Sequence, residues 1–302
     1  RVSFSALKNS SGRYLIEDHT ILISPSIQFL DVLDNSEHID LSDSRAIVVG
    51  NPELPALFQD LDRLPNASKE AIEVSKILGT SALLGEDATE SSFVDRVSEA
   101  KIIHLATHAR PNLGIRNPKV EKSQNYVYEK ARKSIFEKGV AVLALSPSEQ
   151  DDGLLTEIEL YDLQFNAELV VLSACETGYG RLSSDGVIGL SRPFLANGVP
   201  AVISTLWRVP AAPTAEIMVD FYKNQYFATN QPRALREALV KTMKEYPDDP
   251  RMWASFIFVG LPQGDAANNE TSYIEDISPT ASSHQQLSKE QLRNTQYTLD
   301  PS

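Results

Sequence analysis

The sequence predicts an α/β domain built around a mostly parallel central sheet with helices on both faces. Stretches with strand-like composition alternate along the chain with stretches of helical periodicity. The strand-like stretches are nearly all apolar, as expected for strands that are covered on both faces. The 302 residues are enough to bury a full hydrophobic core in one large domain.

The composition narrows the class of protein. A net charge of −13 without a basic stripe argues against nucleic-acid binding. No apolar run approaches the ~18 residues of a membrane-spanning helix, and no signal peptide is recognisable. Because the chain begins with Arg1 in strand-like sequence, we expect it to be part of a longer protein.

The number and spacing of the cysteine and histidine residues argue against metal sites and disulfide bonds. Cys175 is the only cysteine, which excludes an internal disulfide framework and a Cys-rich zinc site and favours a reducing, cytoplasmic location. The five histidines show no HExxH spacing, so we expect neither a metal nor another cofactor.

The first third of the chain is predicted to contain short strands and two helices. Gly79 is expected to end the first helix and Thr89 to cap the second. The predicted strands cover 2–7 and 13–26 (both in an N-terminal hairpin region, 1–43), 45–52, 81–85 and 101–109, and the predicted helices cover 66–78 and 89–97.

Residues 110–139 are polar, rich in Lys and Arg and without a clean period, so we interpret them as a surface insertion. Pro193 is expected to kink the helix that contains it. Residues 263–302 have the composition of a disordered tail, which leaves 1–262 as the folded domain. The remaining predicted strands cover 140–146, 167–175, 201–207 and 253–260, and the remaining predicted helices cover 154–163 and 185–198 and begin at Pro213 and Pro232.

Two of the predicted strands end in chemically capable residues. His108 ends "KIIHLATH" and Cys175 ends "LVVLSAC". In an open parallel sheet, reactive groups gather beyond the carboxyl ends of the strands, so the two side chains could meet. A cysteine nucleophile needs a base, and histidine titrates near neutral pH. The pattern therefore suggests a His108–Cys175 dyad.

Backbone groups near the two residues could complete such a site. The run "ETGYG" after Cys175 favours a tight turn whose N–H groups point outward. The N–H groups of Ala109 and Cys175 are the candidates for an oxyanion hole that stabilises a tetrahedral intermediate.

Less specific interpretations compete with the dyad. A lone cysteine at the end of an apolar strand is usually a small buried hydrophobe. His104 lies in mid-strand and is better interpreted as a satisfied core histidine. The other three histidines, His19, His38 and His284, lie in loop-like or tail sequence and are interpreted as incidental.

A nucleotide-binding site is a weaker alternative. "GYGRLSSDG" lies between a strand and a helix, but the G-x-G-x-x-G fingerprint fails at Ser183. No GK[ST] motif is present, and "GLSRP" puts Pro193 where a serine-hydrolase elbow needs glycine.

Five segments together resemble the CHAT domain, a caspase-like domain related to separases and usually attached to TPR repeats. The resemblance spans about residues 1–262 and includes "FSALKNSSGRYLIEDHTILISPS" near the N-terminus. It implies a caspase-like three-layer α/β/α fold and a clan CD cysteine peptidase. The segments are "HLATHA" (104–109), "DDGLLTEIEL" (151–160), "AELVVLSACETGYG" (167–180), "GVIGLSRPFLANGVPAVISTLW" (186–207) and "WASFIFVG" (253–260).

The family motifs imply a role for individual residues. The second histidine of H-x-x-T-H falls on His108, and the cysteine of S-A-C-E-T-G falls on Cys175. Relatives usually have glycine where this chain has Ala109. Because only a backbone N–H would act there, alanine should be tolerated at negative φ.

The expected P1 pocket departs from the family pattern. An acid commonly follows the W-x-V motif, but after Trp207 this chain has Pro210 and Ala211. Either Asp152 or Asp185 replaces that carboxylate, or the pocket accepts an uncharged side chain. The 110–139 insertion is longer than expected and is a candidate lid.

The resemblance implies an endopeptidase that cleaves specific protein substrates and is switched on by a partner or by an N-terminal TPR region. The alternative is a catalytically silent, caspase-like interaction scaffold, which the missing pocket acid would explain. Neither interpretation involves a membrane, a nucleic acid or a cofactor.

Overall fold

A six-stranded, mostly parallel sheet forms the centre of the protein. The computed structural model describes residues 2–24, 45–110, 140–173, 190–207 and 210–261. Within these ranges the strands are β1 (Ala46–Pro52), β2 (Leu83–Gly85), β3 (Ile102–Ala106), β4 (Ala109–Arg110), β5 (Val142–Ala144), β6 (Leu154–Thr156), β7 (Leu169–Leu172), β8 (Ala201–Thr205) and β9 (Phe256–Gly260).

The strand order of the central sheet is β2-β1-β3-β7-β8-β9. All neighbours are parallel except β8 and β9, which run antiparallel. The carboxyl ends of β1, β3, β7 and β8 therefore lie along one edge of the sheet. A second, antiparallel sheet has the order β4-β5-β6.

Seven α-helices flank the strands within the described ranges. None of these helices is long and apolar enough to cross a membrane. The helices are α1 (Leu15–Asp18), α2 (Pro65–Ile77), α3 (Glu90–Val97), α4 (Glu157–Asp162), α5 (Ser191–Ala196), α6 (Ala211–Lys223) and α7 (Gln231–Glu245), and short 3₁₀ helices occupy Phe4–Ala6, Ala56–Phe58 and Pro250–Met252.

Alternate residues of the central strands β1, β3, β7 and β8 point into two different hydrophobic cores. Val48 of β1 packs into a core with residues of α2, α6 and α7, whereas Ile47 and Val49 pack into a core with residues of α3, α4 and α5. This period of two is the geometry of a strand covered on both faces. The predicted three-layer α/β/α arrangement with a mostly parallel sheet is confirmed.

A smaller core joins the antiparallel sheet to the loop after β1. Val142, Ala144 and Leu154 of the small sheet pack against Leu57 and Phe58, which belong to the 3₁₀ helix between β1 and α2. Phe58 is fully buried. This packing fixes the small sheet beside the carboxyl end of β1.

Many of the predicted elements are confirmed with their boundaries. Gly79 follows α2 with φ of 67°, a left-handed conformation that glycine adopts without strain. The Thr89 side chain accepts a hydrogen bond from the Ser92 N–H and caps α3. Helices α6 and α7 begin at Ala211 and Gln231, within two residues of the predicted starts.

The predicted N-terminal strands are wrong over residues 2–24. This region has a 3₁₀ helix, α1 and single β-bridges, such as Ile23 with Val259. Helix α1 forms because the Tyr14 N–H donates to the Glu17 carboxylate at 2.6 Å, which closes a local capping arrangement. The part of the predicted 1–43 hairpin beyond residue 24 lies outside the described residues.

Two further predictions are corrected. Residues 154–163 were expected to be all helix, but Leu154–Thr156 is strand β6, and Thr156 then caps α4 through a capping box with Glu159. Pro193 is the third residue of α5, where its missing N–H has no helical acceptor to lose, so the expected kink is not needed. Residues 185–189 of the predicted helix lie outside the described residues. The predicted insertion and the C-terminal tail lie outside the described residues.

Candidate active site

His108 lies at the joint between the two sheets. Strand β3 ends at Ala106 and β4 begins at Ala109, so the strand predicted over 101–109 is divided between two sheets. The His108 carbonyl accepts a hydrogen bond from the Ala144 N–H at 2.9 Å, and the Thr107 hydroxyl donates to the Ala144 carbonyl at 2.6 Å. These bonds hold the backbone on both sides of His108.

The orientation of the His108 ring is fixed by a backbone carbonyl. Its Nε2 lies 2.8 Å from the carbonyl oxygen of Asp62. Because a carbonyl can only accept, Nε2 must carry the proton, and the basic nitrogen of the neutral ring is then Nδ1. Phe58 lies beside the ring, with 6.4 Å between the ring centroids. The residue is buried, with 6% of its surface exposed.

The Ala109 N–H points away from the small sheet. In an antiparallel ladder, pairs that exchange hydrogen bonds alternate with pairs that do not. Ala144 bonds to His108, so the next pair, Ala109 with Leu143, is the non-bonded kind. The Ala109 N–H is therefore turned outward from β5.

Strands β3 and β7 are neighbours in matched register. Leu105 of β3 pairs with Leu172 of β7, and the two strands are parallel. His108 and Cys175 each follow this pair by three residues, so both chains leave the sheet at the same edge. Ser173 is buried, and Cys175 lies outside the described residues.

Asp152 lies in the turn that leads into β6, two strands away from His108 across the small sheet. Its Oδ1 accepts a hydrogen bond from the Leu154 N–H at 3.0 Å, whereas its Oδ2 is buried without a hydrogen-bond partner. Burial raises the pKa of this carboxyl to about 6, and the neighbouring carboxylates of Glu159 and Asp151 add to the effect.

Glu90, in the first turn of α3, faces the same group of acids. Burial raises its pKa to about 8, with further contributions from Glu159, Asp151 and Asp152. The Ser91 N–H and hydroxyl both donate to Asp151, at 3.1 and 2.9 Å. The four carboxyl groups therefore repel one another whenever all are ionised.

The Glu90→Gln variant is expected to gain about 2 kcal/mol of unfolding free energy at pH 8.5 relative to the parent, and nearly nothing at pH 5. A raised carboxyl pKa means that ionisation is disfavoured in the folded state. The penalty is absent below the unfolded pKa, near 4.5, and grows as the pH rises through about 8. Urea unfolding at several pH values measures the difference.

The matched control for this variant is Glu99→Gln, which removes an exposed carboxylate just after the same helix. It should leave the pH dependence of stability unchanged. If the unfolding free energies of the parent and Glu90→Gln change equally with pH, the repulsion among the four carboxyl groups does not affect stability.

Trp207 follows the carboxyl end of β8, at the same edge of the sheet as His108. Its indole N–H donates to the Arg251 carbonyl at 3.2 Å, and its backbone N–H donates to the Ser255 hydroxyl at 3.2 Å. Ala211 is the first residue of α6, shortly after Trp207. Asp185, the other candidate pocket acid, lies outside the described residues.

His104 is a core residue, as its mid-strand position predicted. It is fully buried, with Nε2 3.0 Å from a Glu70 carboxylate oxygen and Nδ1 3.2 Å from the Tyr222 hydroxyl. Burial raises the pKa of Tyr222 well above its usual value. This network joins α2, β3 and α6 on the face of the sheet opposite α3.

Sequence reasoning did not find Asp62 and Glu90. Asp62 acts through its backbone carbonyl, which leaves no signal in the residue type. Glu90 was detectable only as one acid among the 41 Asp and Glu residues of the chain. No group of three or more His, Cys, Asp or Glu residues among those described is arranged to hold a metal ion.

These features define an α/β domain with a buried histidine at the carboxyl edge of its sheet. The histidine lies next to the strand that leads to the lone cysteine. The chain belongs to the CHAT domain family, whose model matches residues 1–261. The resemblance inferred from the sequence motifs is therefore confirmed.

The curated relatives are much longer proteins. Human tetratricopeptide repeat protein 28 is 31% identical over 318 residues, which cover 97% of this chain and 13% of the relative. The mouse protein of the same name is 29% identical over a similar span. Their name supports the expected association of this domain with TPR repeats.

Among solved structures, the Saccharomyces cerevisiae separase–securin complex has a TM-score of 0.47 at 11% identity and covers 82% of this chain and 14% of its own. The Arg-specific cysteine proteinase gingipain R has a TM-score of 0.44 at 9% identity and covers 78% of this chain and 51% of its own. Because the identities to these solved structures are so low, the family membership rests on the match to the family model.

Proposed function

We propose that the domain is a cysteine endopeptidase in which His108 and Cys175 form the catalytic dyad. The supporting observation is the matched exit of the two chains from neighbouring strands, three residues beyond the Leu105–Leu172 pair. The Asp62 carbonyl supports the same assignment, because it holds the ring so that Nδ1 is the basic nitrogen.

In this mechanism the Cys175 thiol gives its proton to His108 Nδ1, and the sulfur attacks the scissile carbonyl. The oxyanion of the tetrahedral intermediate accepts hydrogen bonds from the N–H groups of Ala109 and Cys175. His108 then protonates the leaving amine. Water hydrolyses the acyl-enzyme and restores the thiol.

We propose Asp152 as the carboxylate that receives a basic P1 side chain. No cation is within hydrogen-bond range of its side chain among the described residues, and its buried Oδ2 lacks a partner. An arginine or lysine would supply the missing charge. Trp207 and Ala211 are proposed as pocket walls, and Asp185 as the alternative acid.

The natural substrates in this proposal are specific proteins, and a partner or attached TPR repeats switch the activity on. The TPR relatives support this part of the proposal. A reducing, cytoplasmic location follows from the need to keep the Cys175 thiol unoxidised.

The test is a peptide-library cleavage profile combined with labelling by electrophilic peptides. We expect covalent labelling that is confined to Cys175 and is fastest for probes with arginine or lysine at P1. In Asp152→Asn the preference for basic over uncharged probes should fall about tenfold. If Cys175 stays unreactive in the full-length protein with its TPR region and its natural partner present, the result would support the silent scaffold instead.

A further inference from the structure

The loop that carries Asp62 is attached to the end of β1 by a buried side chain. This loop, residues 59–64, connects the 3₁₀ helix Ala56–Phe58 to α2. Asn51, at the end of β1, accepts a hydrogen bond from the Leu64 N–H at 2.7 Å and one from Arg63 Nε at 3.4 Å. Its own amide donates to the Ser68 hydroxyl at 3.0 Å.

Asn51, which holds the 59–64 loop, has an unusual backbone conformation. Its φ is 47°, the only positive φ of a non-glycine residue in the described ranges. Asparagine tolerates the left-handed region better than most residues. The residue is 8% exposed, so its hydrogen bonds are shielded from water. The turn directs its amide toward the 59–64 loop instead of along the strand.

The loop is also connected to the strand after His108. Asp60 forms an ion pair with Arg110, and the Arg110 guanidinium lies 5.2 Å from the Phe58 ring centroid. Asp60 is 65% exposed, however, so this ion pair contributes little. Arg63 of the same loop pairs with Glu53, and both of these side chains are 44% exposed, so that ion pair is weak as well. Asn51 is therefore the buried one among the polar side chains that attach the loop.

We propose that Asn51 is a positioning residue for His108, acting through the Asp62 carbonyl. β1 and β3 are paired up to Gly50 and Ala106, so Asn51 lies beside the joint that carries His108. A loop fixed at Leu64 keeps the Asp62 carbonyl 2.8 Å from Nε2 and so fixes the direction of Nδ1. The kinetic consequence rests on the proposed dyad, whereas the structural consequence does not.

The decisive variant is Asn51→Gly. Glycine accepts a φ of 47° without strain, so the substitution removes the side-chain hydrogen bonds and leaves the backbone turn allowed. Asn51→Asp keeps the acceptor for the Leu64 N–H. Ser68→Ala removes the partner of the Asn51 amide without touching the loop. All three are made in the 302-residue chain.

The first measurement is the NMR resonance of the His108 Nε2 proton at low temperature, assigned by its loss in His108→Gln. A proton bonded to the Asp62 carbonyl exchanges slowly with water and is observed. We expect this resonance in the parent, Asn51→Asp and Ser68→Ala, and we expect exchange to remove it in Asn51→Gly.

The second measurement is the rate constant for alkylation of Cys175 by an electrophilic peptide. Misplacing a base by a fraction of an ångström should slow this reaction about tenfold in Asn51→Gly, with recovery in Asn51→Asp. A purely structural role would lower the unfolding free energy without changing either the Nε2 resonance or the alkylation rate.

The outcomes separate the inference from the proposed function. Persistence of the Nε2 resonance in Asn51→Gly, or its absence from the parent, overturns the positioning role. If the resonance responds as expected while Cys175 remains unreactive in every variant, Asn51 positions His108 and it is the proposed peptidase activity that fails.

Discussion

Replacing His108 with glutamine is expected to lower the rate of substrate cleavage by about 10³-fold while the domain stays folded. The amide N–H₂ of glutamine can still donate to the Asp62 carbonyl, but glutamine cannot accept a proton from Cys175. The rate constant for cleavage of the best peptide from the library profile measures the effect.

The matched variants for this prediction are Cys175→Ala and His19→Gln. Cys175→Ala should abolish cleavage, and combining it with His108→Gln should cost nothing further, because the two residues act as a unit. His19 is exposed, so His19→Gln should cleave at the parent rate. Cleavage that survives in both His108→Gln and Cys175→Ala would refute the proposed dyad.

Removing the His104 side chain is expected to cost about 3 kcal/mol of unfolding free energy. In His104→Leu, the Glu70 carboxyl loses the ring nitrogen that lies 3.0 Å away, and Glu70 is only 2% exposed. The Tyr222 hydroxyl loses its partner as well. Urea denaturation of the variant measures the cost.

A double-mutant cycle distinguishes a broken polar network from a simple packing defect. Glu70→Leu combined with His104→Leu removes both polar partners and should be more stable than the sum of the single effects predicts. Glu73→Gln, one turn along α2 on its exposed surface, should change stability by less than about 0.5 kcal/mol. Strictly additive costs would contradict a coupled Glu70–His104 pair.

The central sheet could be predicted because buried parallel strands leave a strong mark on the sequence. Each central strand is a short apolar run, and glycine or proline residues end several of them. Thr89 and Gly79 marked helix ends because capping depends on residue type. His104 could be assigned to the core from its place in the middle of such a run.

The errors arose where local chemistry overrides periodicity. Apolar and polar residues partly alternate over 13–26, which predicted a strand, but the capping arrangement between Tyr14 and Glu17 makes a helical turn. "LLTEIELYDL" has helical spacing throughout, yet Thr156 with Glu159 three residues later marks the true start of α4. The Leu–Leu pair before it was free to join the small sheet.

For the candidate site, the sequence predicted the candidate catalytic side chains but not the backbone groups that support them. His108 was recognised as the end of a strand and as part of a family motif. Its support was not recognisable, because the Asp62 carbonyl and the Ala109 N–H belong to the backbone and are placed by tertiary structure alone. The division of the predicted strand at Thr107 also depends on β5, which is distant in sequence.

The single bridge between Ile23 and β9 has a consequence for the behaviour of the domain in solution. The Ile23 N–H donates to the Phe258 carbonyl and the Gly260 N–H donates to the Ile23 carbonyl, both at 2.9 Å. Backbone groups of the outermost strand are thus already occupied. The N-terminal segment therefore covers part of this edge strand and hinders it from pairing with strands of other molecules, which is a route to aggregation.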